Sequence, residues 1–200
     1  MSDLWAQCRF ISCACLLCIL FSVVARADTT QNFLVFGDSL TSPNYSWANL
    51  IHKAEFANFQ ISAQPGLRMI DIDSPRHIRP YGGEWGVVIW LGTNDAGSGG
   101  SPEHAAMFCR SEVAFLQSRG FKVYLVLPVY FANHPQAHLM QAMRDTITEI
   151  ANEYGAQILD PPFPYDDTGD GIHPTRHGHL LLAFYFINAL GLNFPDGTDK

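Results

Sequence analysis

Short apolar runs, each stopping at a turn, alternate along this chain with segments of helical spacing. Phe33-Leu34-Val35-Phe36 stops at Gly37, Asn58 to Ser62 runs into Ala63-Gln64-Pro65-Gly66, and Val87-Val88-Ile89-Trp90-Leu91 stops at Gly92. Lys122 to Leu127 ends at Pro128, and Gln157-Ile158-Leu159 forms a last short run. Such runs read as buried strands. Between them, Tyr45 to Phe56 places Trp47, Leu50, Ile51 and Ala54 on one helical face. Pro102 to Ser118, Leu139 to Tyr154 and Thr175 to Leu190 are further helical segments, stopped by Gly120, Gly155 and Gly191. Pro102 and Glu103 suit a first helical turn. Arg68 to Glu84 reads as irregular with room for one short helix, Ala96 to Ser101 as a Gly/Ser loop, and Pro161 to Gly171 as a Pro/Asp/Gly loop. Strict alternation of strand and helix predicts one layered α/β domain, a parallel sheet with helices on both faces.

The first residues stand outside that pattern. Phe10 to Val24 is apolar but short of the roughly twenty residues of a membrane span, and it ends at the small-x-small site Ala25-Arg26-Ala27. Residues 1–27 therefore read as a secretory signal and residues 28–200 as the mature domain, secreted or periplasmic, with no stable membrane span once the signal is removed. An uncleaved anchor is the alternative. Removal of the segment takes four of the five cysteines and leaves Cys109 alone, so the mature chain cannot close an internal disulfide. Cys109 lies in a helical segment and reads as a packed small residue. Ten basic residues then face eighteen acidic ones, with no basic run and no basic-aromatic interleaving. That balance argues against nucleic acid as a partner.

In a parallel sheet the carboxyl ends of all strands share one edge, where the ligand crevice lies. The loops arriving there carry Ser39, Gly66, Asn94-Asp95 and Asp170-Gly171-Ile172-His173-Pro174. Asp38 suits the turn that presents Ser39, and Ser39 alone reads equally well as a nucleophile or as a helix N-cap. A nucleophilic serine needs a base, and His173 is suited to that task. Asp170, three positions earlier, is near enough to hold the imidazole in one tautomer. Backbone N–H groups of Ser39 and Gly66 and the side-chain amide of Asn94 would supply three donors to an oxyanion.

Other readings compete at several positions. His173, His177 and His179 raise the question of zinc, but Pro174 interrupts their spacing, so His177 and His179 read as ordinary residues of a first helical turn. Asp95 reads as structural, bonding loop amides, and Asp166-Asp167 as turn residues rather than a glycosidase pair. His134 reads equally as a substrate contact or a surface residue. Tyr130, Phe131, Phe163 and Tyr165 either wall a substrate pocket or cap the core. Asn44-Tyr45-Ser46 matches a glycosylation sequon that has meaning only in a glycosylating host.

Taken together, Phe36-Gly37-Asp38-Ser39-Leu40, Gly66, Gly92-Thr93-Asn94-Asp95 and Asp170-Gly171-Ile172-His173-Pro174 resemble the four ordered blocks of the GDSL (or SGNH) serine esterases and lipases. The resemblance spans the mature chain. One departure is Gln64-Pro65-Gly66, where the family usually carries small or polar residues before the glycine. The resemblance implies a three-layer α/β/α sandwich with a central parallel sheet, flavodoxin-like in form. It also implies a Ser39-His173-Asp170 triad, an oxyanion hole of Ser39, Gly66 and Asn94, and no cofactor or metal. The implied activity is ester hydrolysis through an acyl-enzyme. The lack of a large insertion tilts the substrate toward short or accessible acyl groups, O-acetyl glycans included. Lysophospholipids, thioesters and acyl transfer to a sugar are alternatives within the family's chemistry. A glycan-binding protein on the same fold is the alternative outside it, disfavoured because every catalytic position is filled.

Overall fold

The computed structural model describes residues 31–73 and 85–193. The expected signal segment, and most of the irregular stretch expected from Arg68 to Glu84, lie outside the described residues. Among the described residues five strands form one sheet: β1 (Asn32–Gly37), β2 (Asn58–Ala63), β3 (Trp85–Trp90), β4 (Lys122–Val126) and β5 (Gln157–Leu159). Their order is β2-β1-β3-β4-β5 and every pairing is parallel. The order reverses beside β1, so the loop after β1 opens at the switch point where such sheets place their ligands.

Among the described residues the helices are α1 (Trp47–Lys53), α2 (Thr93–Gly97), α3 (Pro102–Ser118), α4 (Ala137–Tyr154) and α5 (Arg176–Ala189). Single 3₁₀ turns occupy Met69–Asp71 and Tyr165–Asp167. Strand side chains alternate between two separate cores. Leu34, Phe36, Val87, Ile89, Val123 and Leu125 pack on one face with residues of α3 and α4. Phe33, Val35, Val88, Trp90, Tyr124 and Val126 pack on the other with residues of α1 and α5. This is the expected sandwich. In the second core Trp47 lies flat on Phe186, ring centroids 3.8 Å apart, and its indole N–H donates to Thr41 Oγ1 at 3.4 Å. The loop after β1 is thereby tied to α1 and α5.

Two elements differ from the sequence reading. Helix α1 is shorter than Tyr45 to Phe56: Ser46 caps its start, accepting from Asn49 N, and Glu55 beyond its end has φ 61°. A non-glycine residue there has left the helical region. Helix α2 occupies the first residues of the expected Gly/Ser loop. Its propensity is poor, and long-range bonds hold it: Asp95 Oδ2 accepts from Met69 N at 2.9 Å, and Thr93 Oγ1 accepts from Val129 N at 3.2 Å. Cys109 is buried and free, as expected, and burial pushes its thiol up to about 12.

Candidate active site

The site starts where β1 ends. Asp38 turns the chain: its carbonyl accepts from Thr41 N and Ser42 N, both at 3.0 Å, and its Oδ1 accepts from Leu40 N at 2.9 Å. Gly37 is required because a Cβ there would stand 2.4 Å from Thr41 Oγ1. The turn leaves Ser39 half-buried between two buried neighbours, Asp38 and Leu40.

The partner of Ser39 comes from the other end of the chain. The loop before α5 is closed by Gly169 N donating to His173 O at 3.0 Å and Thr175 N donating to Asp167 O at 2.9 Å. Gly171 takes φ +82°, and Asp170 Oδ1 accepts from the backbone N–H of Ile172 (2.9 Å) and of His173 (2.7 Å). That fixes both ends of a three-residue span. His173 Nδ1 meets Asp170 Oδ2 at 2.7 Å, and His173 Nε2 meets Ser39 Oγ at 3.0 Å. A carboxylate only accepts, so Nδ1 carries the proton and Nε2 is left to accept from the serine hydroxyl. The His173 side chain first, then its backbone N–H and that of Ile172, hold the Asp170 carboxyl well below the usual carboxylate range.

Asn94, at the start of α2, reaches both other loops. Its Nδ2 donates to Asp38 Oδ2 at 3.0 Å and to Leu67 O at 3.1 Å. Asp95 bonds the next part of the same loop at Met69 N, as its structural reading required, and burial raises its carboxyl. Pro65 fits its place. Leu67 N donates to Gln64 O at 3.2 Å with Gly66 at φ +79°, a turn in which proline suits the first central position and glycine the second. Gly66 is exposed there.

His177 and His179 stand outside the Ser39-His173-Asp170 line. His177 Nδ1 pairs with Asp167 Oδ2, while Asp167 Oδ1 accepts from Thr175 Oγ1. His179 is only 1% exposed, its ring 5.5 Å edge-on from Tyr45 and its Nδ1 without a hydrogen-bond partner. Burial pushes it down to about 4, helped by His173 nearby. Little in the sequence separates it from His177. The i, i+4 spacing of His179 and Ala183, both facing the second core, is the one available signal.

Two clefts flank this edge. One of about 430 Å³ is lined by Gly66, Thr93, Asn94, Phe131, His134 and Ile172. The other, about 620 Å³, is lined by Tyr130, Phe131, His134, Pro135, Tyr165 and Ile172 among others. Phe131, Phe163 and Tyr165 stand edge-on to one another at 5.0–6.0 Å, and Tyr165 Oη donates to Tyr130 O at 2.6 Å. Of the four aromatic residues singled out by sequence, Tyr130, Phe131 and Tyr165 thus wall the larger cleft, and Phe163 lines a neighbouring one.

Residues 35–181 match the GDSL-like lipase/acylhydrolase family. The chain belongs to that family. It is accordingly a carboxylic ester hydrolase. Solved structures share the fold at low identity. The esterase EstA from Pseudoalteromonas sp. is 17% identical over 80% of this chain and 97% of its own, with a TM-score of 0.67. A member of the lipolytic protein G-D-S-L family from Veillonella parvula is 16% identical over 81% and 99%, at 0.68. The acetylxylan esterase Axe2 from Geobacillus stearothermophilus is 16% identical over 84% and 97%, at 0.66. None of the curated proteins matches. The GDSL resemblance drawn from the four sequence blocks is thus borne out, and so is the sandwich it implied.

Proposed function

We propose that this GDSL hydrolase is an exported serine esterase working through Ser39, His173 and Asp170. The observation that carries the reading is the hydrogen-bonded line from Ser39 Oγ through the His173 ring to Asp170, at 3.0 and 2.7 Å. Ser39 Oγ attacks the ester carbonyl as Nε2 of His173 takes its proton. Asp170 stabilises the imidazolium without itself becoming protonated. N–H groups of Ser39 and Gly66 and the amide of Asn94 receive the developing oxyanion. His173 returns the proton to the leaving alkoxide, and water, activated by the same ring, hydrolyses the acyl-enzyme. Proximity and fixed donors supply the rate enhancement; no metal or cofactor enters these steps.

The substrate is an ester of a small molecule, glycan or lipid with a short or accessible acyl group, O-acetyl groups included. Support comes from the exposure of the centre: the His173 and Asp170 side chains are 46% and 57% exposed. A longer-chain reading, lysophospholipid or thioester, draws on the larger cleft, whose walls are mostly apolar and aromatic. Export is inferred from the apolar run and Ala25-Arg26-Ala27, and N-terminal sequencing of the processed protein should begin at Asp28.

The deciding experiment is hydrolysis of nitrophenyl esters from acetate to palmitate by residues 28–200, with Ser39→Ala as blank. Serine-dependent turnover greatest on the short esters supports the reading. A maximum on long chains moves the substrate to the lipid class, and turnover equal to the blank overturns the mechanism.

A further inference from the structure

Asp38 does more than turn the chain. Its carboxylate is 1% exposed, and its two oxygens serve two different loops. Oδ1 holds the serine turn through Leu40 N, and Oδ2 accepts from the Nδ2 of Asn94, a residue 56 positions away. An asparagine side chain has two ends of similar shape, one donating and one accepting. Only the donating end can serve an oxyanion; the carbonyl end would repel it. Asp38, as a carboxylate, accepts only.

We propose that Asp38 is the positioning residue that keeps the donating end of the Asn94 amide turned toward the Ser39 turn. The inference rests on the serine-esterase reading and deepens it. Leu67 O accepts from the same nitrogen at 3.1 Å and selects the same end. The two acceptors are not equal: a bond to a carboxylate is roughly twice as strong as one to a neutral carbonyl. An oxyanion arriving at Asn94 therefore takes its share of Nδ2 from Leu67 O, while Asp38 keeps its hold. Replacing the carboxylate by a group that both donates and accepts removes the stronger selection, since a flipped Asn94 would then be paired at position 38 and opposed by Leu67 O alone.

Titration supports the geometry. Burial raises the Asp38 carboxyl to about 6, opposed by its bond from Leu40 N. The charged groups bearing on it are His173, which favours the carboxylate, and Asp95, which opposes it. A protonated Asp38 can donate, so acid also removes the selection.

The test is a double-mutant cycle of Asp38→Asn and Asn94→Ala on a nitrophenyl ester that the wild type cleaves in a Ser39-dependent way. Asp38→Asn should lower kcat by about ten- to a hundredfold with KM little changed, given that loss of one oxyanion donor costs about 10² or more. In the Asn94→Ala background the same change should cost less than about threefold, because a residue acting through another has nothing left to act on. Equal losses in both backgrounds, or no loss of kcat, overturn the inference while leaving the esterase reading intact. Absence of Ser39-dependent turnover in the wild type would instead overturn that reading. Should Asp38→Asn fail to fold, wild-type NMR at pH 8 decides: the two Asn94 side-chain N–H signals, identified by their loss in Asn94→Ala, should be separate and slow to exchange with solvent, as expected of an amide held by two acceptors. Averaged signals that exchange rapidly overturn the proposal.

Discussion

Replacing Asp38 by Asn should change how folding stability depends on pH, by an amount set by its burial. An aspartate of ordinary value 3.8 is held at about 6. An acid raised in this way takes up a proton on folding wherever the pH lies between the two values. Its charged form therefore opposes folding, beginning as pH climbs past the lower value and reaching full size above the higher. A shift of about two units corresponds to about 3 kcal/mol. At pH 4.5 roughly 1 kcal/mol of that penalty is already present, so about 2 kcal/mol develops between pH 4.5 and 8. The amide of the Asp38→Asn variant carries no such penalty and keeps an oxygen for Leu40 N. Urea unfolding of wild type and Asp38→Asn at pH 4.5, 6 and 8 gives the difference in stability directly. The variant should gain about 2 kcal/mol on the wild type across that range. His179, pushed down to about 4, acts in the opposite sense in the same window, adding stability as pH rises. It is present in both proteins and cancels in the difference. A difference that stays flat with pH would refute the claim that Asp38 is buried and ionised at neutral pH. A gain of the expected size would make Asp38→Asn a stabilising change that costs rate, the usual sign of a residue kept for function.

Other consequences are simpler to read. Asn94→Ala should lower kcat by about a hundredfold or more with the fold retained by circular dichroism. Phe186→Ala, which removes the ring stacked on Trp47, should cost about 3–5 kcal/mol in urea unfolding, with a loss below about 1 kcal/mol contradicting the packing described. Cys109, with its thiol raised to about 12 by burial, should react with a thiol reagent only after unfolding. Gly37→Ala should impair both folding yield and activity, because its Cβ would stand 2.4 Å from Thr41 Oγ1.

The sheet was legible because β1 and β3 are buried on both faces and read as unbroken apolar runs, while α3 is marked at one end by Pro102 and beyond the other by Gly120. The site loops were legible for a topological reason: parallel strands deliver every loop to one edge, whatever the residues on them. Helix α2 was not, because Asn94, Gly97 and their neighbours have poor helical propensity and the bonds from Met69 and Val129 that hold the segment are tertiary. The end of α1 was missed because apolar spacing continues through Ala54 while the backbone turns at Glu55. Asp38 read correctly as a turn residue, yet its second bond, to Asn94, exists only once β1 and β3 lie side by side. His179 looks like His177 in the sequence, and only the packing of α5 against the second core buries one and exposes the other.

The central claim, that Ser39 is a nucleophile driven by His173, is tested most directly by covalent labelling. An alkyl phosphonate ester presented to residues 28–200 at neutral pH should add one phosphonyl group per chain, found on Ser39 in peptide mass spectra. The rate should fall by about a thousandfold or more in His173→Ala, as expected when the base is lost from a nucleophile it activates. Label on another residue, or an unchanged rate without His173, would contradict the account.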